Sequence, residues 1–489
     1  MFEASSRQQD IFDLWNNSDT NILINAVAGS GKTTTLLQLL EMCEYRTLFL
    51  AFNSSVQEEI QNQIESRGLD QGKSLTVHSL GFSAVKKWKR CVVNKGKNFD
   101  LIKELQKKEK VKFRMMTWED KLRLTYTLMD MNDISRLFLT DDMQTIMENA
   151  AGIGKNLFIA PNLAHFWKGF LELRAESYKG KTITIDFTDM VYLPVAMDLT
   201  IPIAPTYLMI DEAQDLNLCQ HALIDKLLGQ GCIEKWIAVG DRNQSVYGFS
   251  GAYSKSFDLF LDKGNVQECV LDICYRCDTS IINSANEVYN VMLPHSKNEG
   301  IVETIGDPLL IKDKAMVICR NSSPLIDLYF QLILNGKSAY IKGEDILTSV
   351  VRFLNPYAGG SIQIAKAKML VKLKTLENKK GDKAELNLWV FQQNFTNFNR
   401  LAKGLGYFGT GGMKSFIQEV KSLFVGKKDS IMLCTIHKSK GLEADTVYIV
   451  NENLIPSNFA ITEEQQKQEM NLKYVARTRA KKELYFLNI

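Results

Sequence analysis

The chain has 489 residues, of which 45% are apolar and 24% charged, and its formal net charge is +3. Such a composition excludes a disordered protein and is long enough for three or four compact units with their own cores. A charge this small is no argument for a polyanionic partner, so any nucleic-acid reading must rest on local charge.

Short β-rich runs alternate with helical patterns toward both ends. NILINAV (21–27), RTLFLAF (46–52) and SLTVH (74–78) come first, then TYLMID (206–211) and KWIAVGD (235–241). AMVICR (315–320), SIMLCTI (430–436), TVYIV (446–450) and ELYFL (483–487) follow. Alternation of this kind signals parallel sheets flanked by helices, an α/β fold. Two blocks, about 84–165 and 346–425, read instead as polar and helical, as inserts into α/β domains do. Both are locally basic: residues 84–114 hold twelve Lys/Arg against three Asp/Glu, and residues 361–430 hold thirteen against five. Two basic inserts favour a phosphate-backbone track over solvated helix faces. The GTGGMK stretch at 409–414 reads as a loop.

No apolar run approaches the roughly 20 residues that span a bilayer, and the opening MFEASSRQQD lacks a signal-peptide pattern, so the cytoplasm and no membrane partner are expected. Nine cysteines, an odd number, suit reduced thiols. Cys269, Cys274 and Cys277 have the spacing of a plant-type ferredoxin ligand set, with Cys319 as the fourth. But VQECVLDICYR reads as β-rich and lacks a glycine-rich ligand loop, so buried structural thiols are expected. The histidines at 78, 165, 221, 295 and 437 are too scattered for a zinc site.

Chemistry concentrates first in NILINAVAGSGKTT (21–34). Small residues let the backbone N–H groups around Gly29, Ser30 and Gly31 approach phosphates, Lys32 neutralises the β/γ oxygens, and the Thr33 hydroxyl can ligate Mg²⁺. The stretch departs from GxxxxGK[ST] in having Ala26 at the first glycine. An ATP site also needs an apolar strand ending in acids, and YLMIDEAQD (207–215) supplies one. There Asp211 would hold the metal through a water, and Glu212 would polarise the water that attacks the γ-phosphate.

Further segments form an ordered set: RQQDIF (7–12), LAFNSSVQEEI (50–60), TVHSL (76–80), VGDRNQSVYGFSGA (239–252), LDICYRCDTSI (271–281), TIHKSKGLEADTVYIV (435–450) and NLKYVARTRAKKELYF (471–486). With the two ATP motifs, this set resembles the superfamily 1A helicases of the UvrD/Rep/PcrA type. The AFN segment and compact length look more like the F-box helicase branch. The resemblance implies two tandem RecA-like P-loop motor domains with parallel sheets, each interrupted by a mainly helical insert, with ATP in the cleft between them. The first would comprise 1–83 and 166–265 around the insert 84–165. The second would comprise 266–345 and 426–489 around the insert 346–425.

Site roles follow from the same resemblance. Gln8 would read the adenine edge, with Gln9 an adjacent competitor, and a primary amide carries the donor and acceptor that this needs. Gln244 would sense the γ-phosphate, while Arg276 and Arg479 would clamp it from the second motor domain with guanidinium forks. Tyr275 would stack on adenine, a buried core tyrosine being the alternative. Ala28, Thr34 and Glu443 complete the nucleotide set. Arg477 is a departure, since the family has an apolar residue there. Phe52, Asn53, His78, Tyr247, Phe249 and His437 would line a single-strand groove, where aromatic faces stack bases of any sequence. For Phe52 and His78 ordinary packing is the alternative, and Phe249 stands where the family often has tryptophan.

The implied activity is ATP- and Mg²⁺-dependent movement along single-stranded DNA, 3′→5′, displacing duplex ahead. Single-stranded DNA and single/double-strand junctions are the expected partners, in a bacterial or phage-infected cytoplasm. The chain ends ten residues after Arg479, so a nuclease is expected as a separate protein, alongside other replication or repair factors. The rival is a DNA-stimulated translocase that remodels nucleoprotein, or serves as a motor subunit of a repair, phage or defence complex, without efficient unwinding. A P-loop small-molecule kinase is disfavoured by the distant arginines and the absence of an acceptor-pocket signature.

Overall fold

The structure, a computed structural model, describes residues 4–246, 248, 255–343, 350–378, 382–407, 411–423, 429–458 and 460–489. The chain divides into two compact units, Met1–Asp272 with Thr462–Gln468 and Ile273–Ile461 with Glu469–Ile489. No described helix is long and apolar enough to cross a membrane.

Strands of the first unit are β1 (Asn21–Ala26), β2 (Thr47–Ala51), β3 (Gly72–Thr76), β4 (Arg90–Val93), β5 (Thr182–Ile185), β6 (Tyr207–Ile210), β7 (Lys235–Gly240) and β8 (Val266–Leu271). All but β4 and β5 form one parallel sheet in the order β3-β2-β6-β7-β1-β8. Strands β2 and β7 are buried at every residue, whereas the edge strands β3 and β8 are partly exposed. Helices on both faces of a parallel sheet require this, and it explains why the inner strands read as continuous apolar runs. The pleat sorts their side chains by alternation: Ile22, Ile24, Phe49, Met209 and Ile237 enter one core, and Leu23, Leu48, Leu50, Leu208 and Ala238 enter the other.

Between β3 and β6 the first insert has its own core, built from Ile102, Leu128, Met131, Ile134, Phe166 and Phe170. Helix Leu163–Ser177 belongs to it, so the insert continues past residue 165. β4 and β5 pair with each other at its base. Strand β8, which the sequence division assigns to the second domain, pairs with β1 over six residues and completes the first sheet.

The second unit holds β9 (Ile273–Cys274), β10 (Leu293–Pro294), β11 (Ile301–Ile305), β12 (Met316–Cys319), β13 (Ala339–Ile341), β14 (Ile431–Thr435), β15 (Ala444–Val450) and β16 (Ala480–Leu487). Its main sheet is also parallel, ordered β11-β16-β15-β12-β14-β13. The second insert contributes helices Ile362–Glu377, Asp382–Gly404 and Met413–Ser422. Its Phe398, Leu401, Met413 and Phe416 share one core with Val317, Cys319 and Leu433 of the sheet, so this insert extends the unit rather than standing apart.

Candidate functional site

The loop after β1 has Gly29 at φ 71° and Gly31 at φ 80°, left-handed conformations that cost glycine little. Helix Lys32–Met42 starts directly behind Gly31. Its unpaired N–H groups and the positive end of its dipole make the loop an anion cradle. Ala26, which replaces the usual glycine, is the last residue of β1 and is fully buried, so at this position a methyl packs as core. Ala28 and Ser30 are buried too, the Ser30 hydroxyl donating to the Val27 carbonyl at 2.9 Å, and Thr34 is exposed. Gln8 is buried against this loop: its Oε1 accepts from Ser5 N at 3.0 Å, and its Nε2 donates to Thr35 Oγ1 at 3.0 Å. Thr35 in turn donates to the Gly31 carbonyl. Gln9 is exposed and bonds Asp13 instead, so of the two glutamines Gln8 is the one against the loop.

Acids arrive from β6 and β7, which pair with each other, β7 also lying beside β1 in the sheet. Ligands of open α/β sheets bind at such carboxyl-end crevices. The Thr33 hydroxyl donates to Asp211 Oδ2 at 3.2 Å. Burial, reinforced by Glu212, pushes the Asp211 carboxyl up to about 7, against the pull of Lys32 and Thr33. A buried acid so poor in positive charge, beside a hydroxyl oxygen, fits a hard divalent cation such as Mg²⁺. Glu212 sits at φ 52°, outside any helix, and its Oε2 accepts from Gln214 Nε2 at 2.6 Å. Gln214 Oε1 accepts from Asp241 N at 3.1 Å, and Asp241 Oδ2 accepts from Gln244 Nε2 at 2.7 Å. Burial raises the Asp241 carboxyl, with Lys32 opposing, so one lysine faces both acids. Gly240 is needed here, because a Cβ would overlap Gln214 Oε1.

This relay of Glu212, Gln214, Asp241 and Gln244 joins the candidate base to the candidate phosphate sensor. Sequence reading missed Gln214, Asp241 and Thr35. Gln214 and Asp241 lie in the DEAQD and KWIAVGD segments and Thr35 directly follows GKTT, but nothing along the chain marks their partners.

In the second unit, Arg276 Nε pairs with Glu443 Oε2 at 2.6 Å, and Lys481 holds the other carboxylate oxygen. Burial pushes the Glu443 carboxyl up, but Lys481 and Arg276 outweigh it and hold it low. Arg479 is buried, donating from Nε to Val475 O at 3.0 Å and from Nη1 to Leu442 O at 3.2 Å. Tyr275 is 40% exposed, its ring tilted against His295 at 4.6 Å, which sets aside the core-tyrosine alternative. Arg477 is buried and grips Glu452 with two bonds at 2.8 and 2.9 Å and Glu287 with a third. A structural anchor of that strength explains an arginine where an apolar residue is expected. The cysteines are all free thiols, and of the considered ferredoxin set only Cys274 and Cys277 interact with each other.

Phe52, His78 and His437 also sit just beyond the carboxyl ends of strands β2, β3 and β14, each half-buried. Burial lowers the His78 imidazole. It also lowers His437, to about 4, with Arg320 adding to the effect, so at neutral pH both are uncharged hydrogen-bonding groups. Asn53 is exposed, and its Oδ1 caps helix Ser54–Ser66 by accepting from Val56 N at 2.9 Å. Tyr247 and Phe249 lie outside the described residues.

Two sequence families match the chain: the UvrD/REP helicase N-terminal domain over residues 7–264, and the UvrD-like helicase C-terminal domain over 331–489. The chain belongs to the UvrD/REP helicase family. The two parallel sheets are the family's tandem RecA-like domains. Among curated relatives of this UvrD/REP helicase, the ATP-dependent DNA helicase Rep of Buchnera aphidicola (Schizaphis graminum) is 24% identical, over 95% of this chain and 90% of its own length. DNA helicase IV of Escherichia coli K12 is 25% identical over 76% of this chain and 58% of its own. The ATP-dependent DNA helicase PcrA of Leuconostoc citreum is 24% identical over 55% and 37%. The matched region thus spans less than two thirds of the latter two relatives.

Proposed function

We propose that the protein is an ATP-driven DNA motor that moves 3′→5′ along a single strand and displaces duplex ahead of it. The observation that carries this reading is the meeting of three loops from adjacent strands β1, β6 and β7, where Lys32, Thr33, Asp211, Glu212, Asp241 and Gln244 form one connected polar set. Lys32 and the loop N–H groups bind the phosphates, and Gln8 orients the adenine. Thr33 and Asp211 would hold Mg²⁺, which supplies charge neutralisation at the phosphates. Glu212 orients and polarises the attacking water, and Gln244 transmits the state of the γ-phosphate to the segment that follows it. Arg276, Arg479, Tyr275 and Glu443 are assigned to the nucleotide by the family resemblance alone, as are Phe52, Asn53, His78, Tyr247, Phe249 and His437 to DNA.

A second reading is supported by the second insert, whose described residues Phe398, Leu401, Met413 and Phe416 build onto the sheet's own core. In that reading the motor strips bound proteins or drives a repair or replication partner, and unwinds poorly. ATP turnover with and without single-stranded DNA, followed by unwinding of 3′-tailed and 5′-tailed duplexes, tests both. Turnover unmoved by DNA would refute the motor, preference for the 5′ tail would refute the polarity, and stimulated turnover without unwinding would select the second reading.

A further inference from the structure

Cys274, Tyr275, Arg276 and Cys277 form a C-x-x-C segment whose two middle residues are both assigned above to the nucleotide. The thiols are buried, whereas Tyr275 is exposed and Arg276 reaches Glu443. The Cys274 and Cys277 thiols interact directly, and Cys277 Sγ donates to the carbonyl of Thr478 at 3.9 Å, one residue before Arg479. Both ends of the turn are held in place. Cys274 ends β9, and the N–H of Asp278, the residue after Cys277, donates to Lys481 O at 2.8 Å. The thiol pair therefore sits where the segments carrying Arg276 and Arg479 meet, and no other two cysteines in the chain share this spacing.

We propose that Cys274 and Cys277 form a reversible disulfide on exposure to hydrogen peroxide, and that this bond slows ATP turnover by fixing the Tyr275–Arg276 turn. The effect on turnover rests on the functional reading above; the bond itself does not. The hydrogen bond from Cys277, helped by Arg276, holds the Cys274 thiol below the usual thiol range, so Cys274 supplies the thiolate. That thiolate attacks one peroxide oxygen, the O–O bond breaks, and the departing hydroxide takes up the proton that Cys274 had lost. Cys274 is now a sulfenic acid. The Cys277 sulfur attacks it, the S–S bond forms as the S–O bond breaks, and the leaving oxygen carries off the Cys277 proton as a second water. In all, two thiols are oxidised and one peroxide is reduced to two waters. Cys277 then no longer donates to Thr478, so one of the two hydrogen bonds described between the arginine segments is lost while that from Asp278 to Lys481 stays.

The test uses the full reduced chain treated with hydrogen peroxide, then alkylated and digested. The expected result is a Cys274–Cys277 linkage lighter by two hydrogens and turnover slower by roughly ten- to a hundred-fold, the scale of a misplaced catalytic group. Dithiothreitol should reverse both. Cys274→Ser should keep the reduced rate and lose the reversible inhibition, with Cys274→Ala as the second variant should a buried serine disturb folding. A peptide map without this linkage, or a linked protein that turns over ATP at the reduced rate, overturns the proposal. A reduced protein that hydrolyses no ATP refutes the functional reading and the regulation with it, and the peptide map then decides the bond alone.

Discussion

At the scale of single residues, the glutamine beside the candidate base carries the sharpest expectation. Gln214 bonds Glu212 with its amide nitrogen and the Asp241 backbone with its oxygen, so it holds the carboxylate in place without itself facing the phosphates. Glu212→Gln should retain ATP binding and stop turnover. Gln214→Ala should lower kcat by about 10- to 100-fold, the range of a general base shifted from its proton, while leaving ATP affinity within about two-fold. Steady-state kinetics beside a nucleotide-binding titration checks both, and a Gln214→Ala enzyme with unchanged kcat would remove the relay from the mechanism. Lys32, Thr33, Asp211 and Glu212 were legible in the sequence because phosphate and metal chemistry demands those side chains at fixed offsets from a strand end. Gln214, Asp241 and Thr35 were not, because their roles arise only when β6 and β7 become neighbours or when the Gln8 helix packs on the loop. Asn53 shows the converse: a helix cap at the end of β2 and a DNA-facing amide read alike in one dimension.

Among elements, the first insert is fastened by a buried ionic cluster that basic composition alone cannot reveal. Asp189, fully buried in helix Phe187–Ala196, accepts from Arg136 at 2.8 Å, Lys97 at 2.6 Å, Tyr178 at 2.6 Å and the Asp186 N–H at 3.0 Å. Burial works against the charged carboxylate, but Arg136 and Lys97 prevail and hold it below the usual range. Two insert helices, Lys97–Lys108 and Trp118–Leu137, are thereby tied to a helix of the sheet layer. Asp189→Ala strands the buried Lys97, while Arg136 keeps Asp133 and Asp186, and should cost about 3–5 kcal/mol, as breaking a buried pair does. Calorimetry should show a lower melting temperature, and a wild-type value would refute the fastening. Because the folded carboxylate titrates below its unfolded counterpart, its contribution is complete above about pH 4 and is lost as the pH falls through the lowered value. Of the twelve basic residues read as a charged track in 84–114, Lys97 is thus spent internally. Strands β11 and β13 escaped the sequence reading for a related reason: β11 is mostly exposed and β13 only three residues long, so neither shows an apolar run.

For the whole molecule, the division into two parallel-sheet units was legible from the recurrence of apolar runs, yet its position was not. VQECVL could extend either sheet by its pattern, and only its six-residue pairing with β1 decides the matter. The arginines that follow this boundary test whether the second unit takes part in the chemistry of the first. Arg276 is partly exposed, and a pair of that kind contributes at most about 1 kcal/mol to folding. Arg479 is different, being buried with its donors on two backbone carbonyls and the Thr478 hydroxyl. Arg276→Ala should therefore lower kcat by about 10³-fold or more, as loss of an arginine finger does, with an unchanged melting temperature. Arg479→Ala should lower kcat and the melting temperature together, because Val475 O, Leu442 O and the Thr478 hydroxyl each lose a donor. Comparing kcat with thermal melts separates the two origins of lost activity. If Arg276→Ala turns over ATP at the wild-type rate while remaining folded, the role carried over from the helicase family fails for Arg276, and if Arg479→Ala also keeps its kcat, ATP hydrolysis belongs to the first unit alone.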